Sequence, residues 1–290
     1  THPQLLLGSD DEGTQYDVFN DNVSRFFCAF GVSSPLIEPP PTEQELVDMM
    51  LVGDSGAMTV LGHPTTLPQT LDAQLMLTEA VLRGTKYAFV VGDMSYMTYE
   101  MSHEKAIENA GKYIARGCDA IKLEGGARVA DTVEAMVKAG LPVMGHIGLT
   151  PQSAPALGGY RVQGKTADAA KALVDDAIAL KEAGVWGMLV ECVPPETMSL
   201  IHEAVPEVIC MSLGAGPDAD GQLDIVHDMI GYFAAFRPKF VRQYVDLTEI
   251  LDGAFKSYIK DVKSKDFPQP EHTYQMNKEE LEKLGIDVED

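Results

Sequence analysis

A chain of 290 residues with 45% hydrophobic content is long enough to bury a large core, and one barrel of about 250 residues with extensions accounts for it without a second domain. No stretch approaches the roughly 18 to 20 uninterrupted apolar residues of a membrane span, and residues 1–24 are too polar for a signal peptide, so the expectation is a cytoplasmic protein with no membrane partner. A formal net charge of -22 weighs against nucleic acid as a partner, and an anionic substrate would need a local cation to overcome that field, which favours a bound metal.

Residues 1–24 read as a polar N-terminal arm, 25–30 as a first strand, and 33–41 as a Pro-rich loop. Thr42-x-x-Glu45 reads as a capping box opening a helix through Met50, with strand two running on to Gly53. Thr70 caps a helix ended by Gly84, 87–92 is strand three, and a helix over 103–116 stops at Gly117. Strand four covers 120–123, a helix 130–139, and strand five 142–145. The Pro- and Gly-rich stretch 150–165 then reads as the largest loop over the barrel mouth.

An amphipathic helix over 168–183 leads to strand six at 186–190, a short helix at 195–204 and strand seven at 208–212. A Gly-rich turn at 214–217 opens a helix through Phe233, and 240–245 is strand eight, with 248–263 as the closing helix. This alternation predicts an α/β fold, a single-domain (β/α)8 TIM barrel over 25–265 with a tail at 266–290. No Gly-x-Gly-x-x-Gly follows the first convincing strand, so a dinucleotide fold fails its first test.

The chemistry concentrates where strands end. Leu51-Val52-Gly53-Asp54-Ser55 closes an apolar run in a Gly, a carboxylate and a hydroxyl, and Phe89-Val90-Val91-Gly92-Asp93 repeats the pattern. Lys122 and Glu124, two apart on one strand, share a face, and Glu191 ends another strand. Acids at the carboxyl ends of separate strands converge on one face of a parallel barrel. Two carboxylates, Asp54 and Asp93, with waters and a chelating substrate suit Mg²⁺, and Glu191 is the natural general base. Each acid taken singly could instead cap the helix that follows it. The seven scattered histidines and four isolated cysteines give no zinc or disulfide pattern, and a lone His146 at a strand end reads as a hydrogen-bonded core residue. Spacing alone reaches metal-assisted chemistry on a small anion.

The runs LVGDS, VVGD, IKLEGG, GHIGLTPQSAPALGGYRVQGK, ECVP, GAGPDADGQ and KFVRQY together closely resemble the ketopantoate hydroxymethyltransferase family, over about residues 46–272. That family is similar to the phosphoenolpyruvate mutase and isocitrate lyase superfamily of barrels. The resemblance implies Mg²⁺ ligation by Asp54 and Asp93, with Ser55 beside the metal and Glu124 supporting its water shell. It also implies that Lys122 pairs with the substrate carboxylate, that His146 lies at the pocket wall, and that Glu191 takes a proton from C3 of a 2-oxo acid. The implied reaction passes a one-carbon unit from 5,10-methylenetetrahydrofolate to the enolate of 3-methyl-2-oxobutanoate, in a homo-oligomer, a decamer by that resemblance.

Two other readings are a carbon–carbon lyase of the same superfamily, working through the same enolate, and a barrel that binds a 2-oxo acid without turning it over. One departure bears on the pocket. Where the family ends its first strand in Thr-Ala-Tyr-Asp, this chain has Cys28-Ala29-Phe30-Gly31, which predicts a less polar pocket wall.

Overall fold

A computed structural model of the chain describes residues 47–286 and the backbone of Arg25–Cys28. The expected N-terminal arm, the Pro-rich loop, the start of the capping-box helix, and the pocket wall at Cys28 to Gly31 lie outside the described residues.

Strands β2 (Met49–Val52), β3 (Phe89–Asp93), β4 (Ala120–Lys122), β5 (Val143–Gly148), β6 (Gly187–Glu191), β7 (Ile209–Leu213) and β8 (Gly221–Ile225) form a parallel, curled sheet in sequence order. The backbone of β1 (Arg25–Cys28) runs parallel beside both β2, Phe26 opposite Met49, and β8, Phe27 opposite Asp224. Because side chains alternate across a strand, neighbouring residues serve two cores. Leu51, Val91, Ala120, Met144, Leu189, Met211 and Leu223 fill the inside of the curl. Val52, Val90, Ile121, Val143, Met188 and Val190 face the helices outside.

Helix α1 (Gly56–Thr59) is a single turn after β2, and α2 (Leu71–Gly84), α3 (His103–Ile114), α4 (Ala130–Lys138), α5 (Ala167–Ala183) and α6 (Pro195–Ala204) cover the sheet. The cap at Thr70 is as the sequence predicts, its side chain accepting from Ala73 N–H, and Ser102 and Thr166 cap α3 and α5 in the same way. Each such cap is worth about 1 kcal/mol. At the amino end of the strands, Phe89 and Trp186 meet edge to face at 5.3 Å and give that end an apolar floor. Polar groups therefore gather at the other end.

Three expectations are corrected. Met49 and Met50 belong to β2 and not to a helix, because pairing with Phe89 and Val90 outweighs the local helical signal. The last strand is Gly221–Ile225, in the segment expected to be turn and helix, of which only α7 (Val226–Met229) is helical. Residues 240–245, expected as strand eight, are irregular and leave Tyr244 and Val245 exposed.

Helix α8 (Leu247–Ser264) has the expected position but buries none of its side chains, so Ile250, Phe255, Tyr258, Ile259 and Val262 face outward. The tail carries α9 (Lys278–Lys283), capped by the Asn277 side chain, which accepts from Glu280 N–H. Cys118, Cys192 and Cys210 are free thiols, and no helix among the described residues is long and apolar enough to cross a membrane.

Candidate active site

Asp93 ends β3 and Lys122 ends β4, and the two are register partners across the sheet. Their side chains are almost wholly buried, and the Lys122 ammonium donates to both carboxylate oxygens of Asp93, at 2.9 and 3.0 Å. Asp54, one residue beyond Gly53 at the end of β2, joins them through its backbone N–H, which donates to Asp93 Oδ2 at 3.0 Å. Ser55 follows at the N-cap position of α1, half-buried beside this pair.

Glu124 lies just past β4, fully buried, with Oε1 3.3 Å from Lys122 Nζ and 3.4 Å from His146 Nδ1. His146 sits within β5, which runs on to Gly148 and so carries this residue inside the sheet rather than beyond its end. Its Nε2 lies 3.2 Å from Oε2 of Glu191, the last residue of β6. These two contacts have charge-pairing distance without good hydrogen-bond alignment. Glu191 is thus partnered, and its side chain is the more open of the pair at 12% exposure against 1% for His146.

Glycines let the strands end this way. A Cβ on Gly92 would run into the ring of Tyr113, whose hydroxyl donates to the Asp93 carbonyl at 2.8 Å. Gly148 has φ +88°, and a Cβ there would strike the carbonyl of Glu191, which accepts from Leu149 N–H at 2.8 Å. Cys192, next to Glu191, adopts φ 49° without being glycine, a conformation costing about 1–3 kcal/mol that the packed strand end holds in place.

The electrostatics follow from three buried acids around one buried ammonium. Burial, and then the charges of Asp93 and Glu124, push the Asp54 carboxyl well above the usual carboxylate range. Burial also raises Asp93, against the pull of Lys122. Burial opposes charge on Lys122, but Asp93 and Glu124 outweigh it and hold the ammonium protonated. For Glu124 burial is overcome by Lys122 and His146, and its carboxyl falls to about 2. Burial and Lys122 work against a charged His146, yet Glu124 and Glu191 prevail and its pKa rises.

All the residues singled out in the sequence, Asp54, Ser55, Asp93, Lys122, Glu124, His146 and Glu191, therefore fall at the carboxyl ends of β2 to β6 or on the residues just beyond them, apart from His146 within β5. Among the described residues no three His, Cys, Asp or Glu side chains are grouped as a ready metal cage. The donor set nonetheless suits a hard divalent cation: Asp54 and Asp93 are joined oxygen donors carrying more negative charge than Lys122 balances, and Mg²⁺ commonly takes one or two carboxylates with water and substrate filling the rest.

Three residues were missed from sequence. Tyr99 and Gln152 are buried against Asp54 and Glu124, while Tyr160 hangs from the loop after β5, half exposed, with its hydroxyl acidity suppressed by burial and by Asp54, Glu191 and Glu124. Gln152 and Tyr160 both lie in the GHIGLTPQSAPALGGYRVQGK run, where the motif itself was the signal.

The solved structure of a phosphoenolpyruvate phosphomutase from Streptomyces platensis subsp. rosaceus superposes with a TM-score of 0.56 at 13% identity, covering 91% of each chain, which is a likeness of fold. The 3-methyl-2-oxobutanoate hydroxymethyltransferase of Syntrophobacter fumaroxidans is 47% identical over 84% of this chain and 86% of its own. That of Moorella thermoacetica is 48% identical over 79% and 85%. The family model described as ketopantoate hydroxymethyltransferase matches residues 41–270, a span containing β2 to β8 and every acid, the lysine and the histidine of the site. The chain belongs to the ketopantoate hydroxymethyltransferase family.

Proposed function

We propose that the chain transfers a hydroxymethyl group to 3-methyl-2-oxobutanoate, giving 2-dehydropantoate in pantothenate synthesis, with 5,10-methylenetetrahydrofolate as the one-carbon donor and Mg²⁺ as cofactor. The single observation that carries this reading, beside the family, is the unbroken run of polar contacts from the backbone N–H of Asp54 through Asp93, Lys122, Glu124 and His146 to Glu191. It joins a cation-seeking end to a base-bearing end.

Asp54 and Asp93 would hold the metal, with Glu124 steadying its water shell and Ser55 beside it. When bound, the ion supplies positive charge that draws electron density toward the 2-oxo group and so stabilises an enolate. Lys122 offers its ammonium to the substrate carboxylate while remaining paired with Asp93. His146 steadies one oxygen of Glu191, and the carboxylate takes the proton from C3 of the substrate. The carbon so activated then forms a bond to the donor's one-carbon unit as that unit's two bonds to the folate nitrogens break. One water leaves its hydroxyl on the new carbon, and its remaining proton with the one taken from C3 goes to the nitrogens, so that tetrahydrofolate departs.

We further infer a complete (β/α)8 barrel, supported by the parallel pairing of β1 with both β2 and β8, spanning 25–265 between an N-terminal arm and a C-terminal tail. A homo-oligomer is supported by the outward apolar side chains of α8. The test of the activity is product formation from 3-methyl-2-oxobutanoate with and without the folate donor. Formation of 2-dehydropantoate only with donor supports the proposal, and absence of any product with donor and Mg²⁺ present refutes it.

A further inference from the structure

Gln152 carries no charge, yet its side-chain amide and its backbone N–H are all engaged inside the acidic cluster. It stands in the short 3-10 turn Pro151–Ser153 after β5 and is 4% exposed. Its side-chain Nε2 donates to Asp54 Oδ2 and to the Met94 carbonyl, both at 2.9 Å. Its Oε1 accepts from the Tyr99 hydroxyl at 2.6 Å, and its backbone N–H donates to Glu124 Oε2 at 3.0 Å. A flipped amide would set Oε1 against two acceptors, so only one orientation of the amide satisfies the site. Tyr99 is itself fixed, being 1% exposed with its hydroxyl accepting from Glu124 N–H at 3.3 Å.

The contrast between the two aspartates gives this arrangement its meaning. Asp93 is met by a cation, Lys122, on both oxygens, whereas Asp54 is met by a neutral amide on one. An ammonium or guanidinium in the place of Gln152 would neutralise Asp54 and compete with any other cation for it. A carboxylate there would repel it. A neutral donor fixes the carboxylate's rotation while leaving its charge uncompensated.

We propose that Gln152, held by Tyr99, is the positioning residue for Asp54: it pins Oδ2 and leaves Oδ1 to meet a divalent cation, coupling the loop after β5 to the metal end of the site. This rests on the metal-dependent reading above, and it names a residue outside the acids, lysine and histidine to which that reading assigns the chemistry.

The test uses the full chain. Gln152→Met keeps the length of the side chain and removes its hydrogen bonds, while Gln152→Asn keeps an amide but falls one methylene short of Asp54. Titration of MgCl2 without substrate, followed by calorimetry, is expected to show affinity about 10- to 100-fold weaker in both variants, the usual effect of removing a partner that orients a metal ligand. Tyr99→Phe leaves the bond to Asp54 in place and is expected to lose less. At saturating Mg²⁺, kcat of Gln152→Met is expected to recover, which general damage to the fold would not permit. Equal Mg²⁺ affinity in wild type and both Gln152 variants would overturn the proposal.

A readout free of metal separates this from the metal reading itself. In metal-free crystals of Gln152→Met, the Asp54 carboxylate is expected to leave its wild-type rotation, and an unmoved carboxylate would overturn the positioning role. A wild-type chain that takes up no Mg²⁺, with Asp54 moved in the variant, would leave the positioning role standing and overturn the metal reading.

Discussion

Asp93 and Lys122 face each other at the ends of β3 and β4 as register partners, and the ammonium holds both oxygens of the carboxylate within 3.0 Å. Asp54, bound to the same Asp93 through its backbone, has no cation on its own carboxylate among the hydrogen bonds and ion pairs of the described residues. The two aspartates therefore differ in what their loss leaves behind. Asp93→Ala strands a buried ammonium with only Glu124 at 3.3 Å, and is expected to cost about 3 kcal/mol of stability. Asp54→Ala leaves only a neutral amide short of one acceptor, expected at about 1–2 kcal/mol. Both should weaken Mg²⁺ binding. Denaturant unfolding of the two variants checks the order, and equal losses would mean that Lys122 finds another partner.

Gly92 is predicted to be intolerant of a methyl group because the Tyr113 ring occupies the space. Gly92→Ala should cost about 1–3 kcal/mol as overpacking, and should lower activity as well, since Tyr113 also holds the Asp93 carbonyl. A double-mutant cycle with Tyr113→Ala isolates the clash. The two changes should couple by about 0.5 kcal/mol or more, and strict additivity would show that the ring yields freely.

A separate prediction concerns acid groups outside the cluster on β2 to β6, at the end of β8 and in α7. Burial raises Asp224 and Asp228 to about 6, with Asp224 adding to the effect on Asp228; His227 adjoins them, and Arg237, Asp246 and Glu249 line the cavity of about 600 Å³ beside Asp228. A carboxyl whose folded pKa exceeds its unfolded value contributes its stability below the unfolded value of about 4, and loses it as pH rises through the folded value. Asp228→Asn should therefore raise stability by about 1 kcal/mol above pH 6, after allowing for solvent screening, and by nothing below about pH 4. Melting temperatures across that range measure it. A gain that persists undiminished at pH 4 would assign the effect to packing and not to charge.

Much of the site was legible because strand ends advertise themselves: an apolar run, a Gly and then a carboxylate marked both Asp54 and Asp93, and the two-residue spacing placed Lys122 and Glu124 together. Contacts between strands were not legible. Nothing in the sequence joins His146 to Glu191, because their meeting depends on β5 and β6 being neighbours in register. Gln152 was passed over because a neutral amide in a loop has no signature until its partners are known.

The fold failed to read where local pattern and tertiary pairing disagree. Gly221–Ile225 alternates Leu223 inside with Gln222 outside, but the Gly, Pro and Asp residues around it resemble a turn. Residues 240–245 have the aromatic and β-branched character of a strand, yet no strand among the described residues pairs with them.

In the proposed reaction Glu191, steadied by His146, removes a proton from C3 of 3-methyl-2-oxobutanoate. The direct measurement is proton NMR of that acid in deuterated solvent with Mg²⁺ and no folate, for wild type and Glu191→Gln. The amide keeps the shape and loses the base, so wild type should exchange its C3 hydrogen while the variant binds the acid and exchanges it about 10²- to 10⁴-fold more slowly. Exchange at the wild-type rate in Glu191→Gln would contradict Glu191 as the base and move that role to another group.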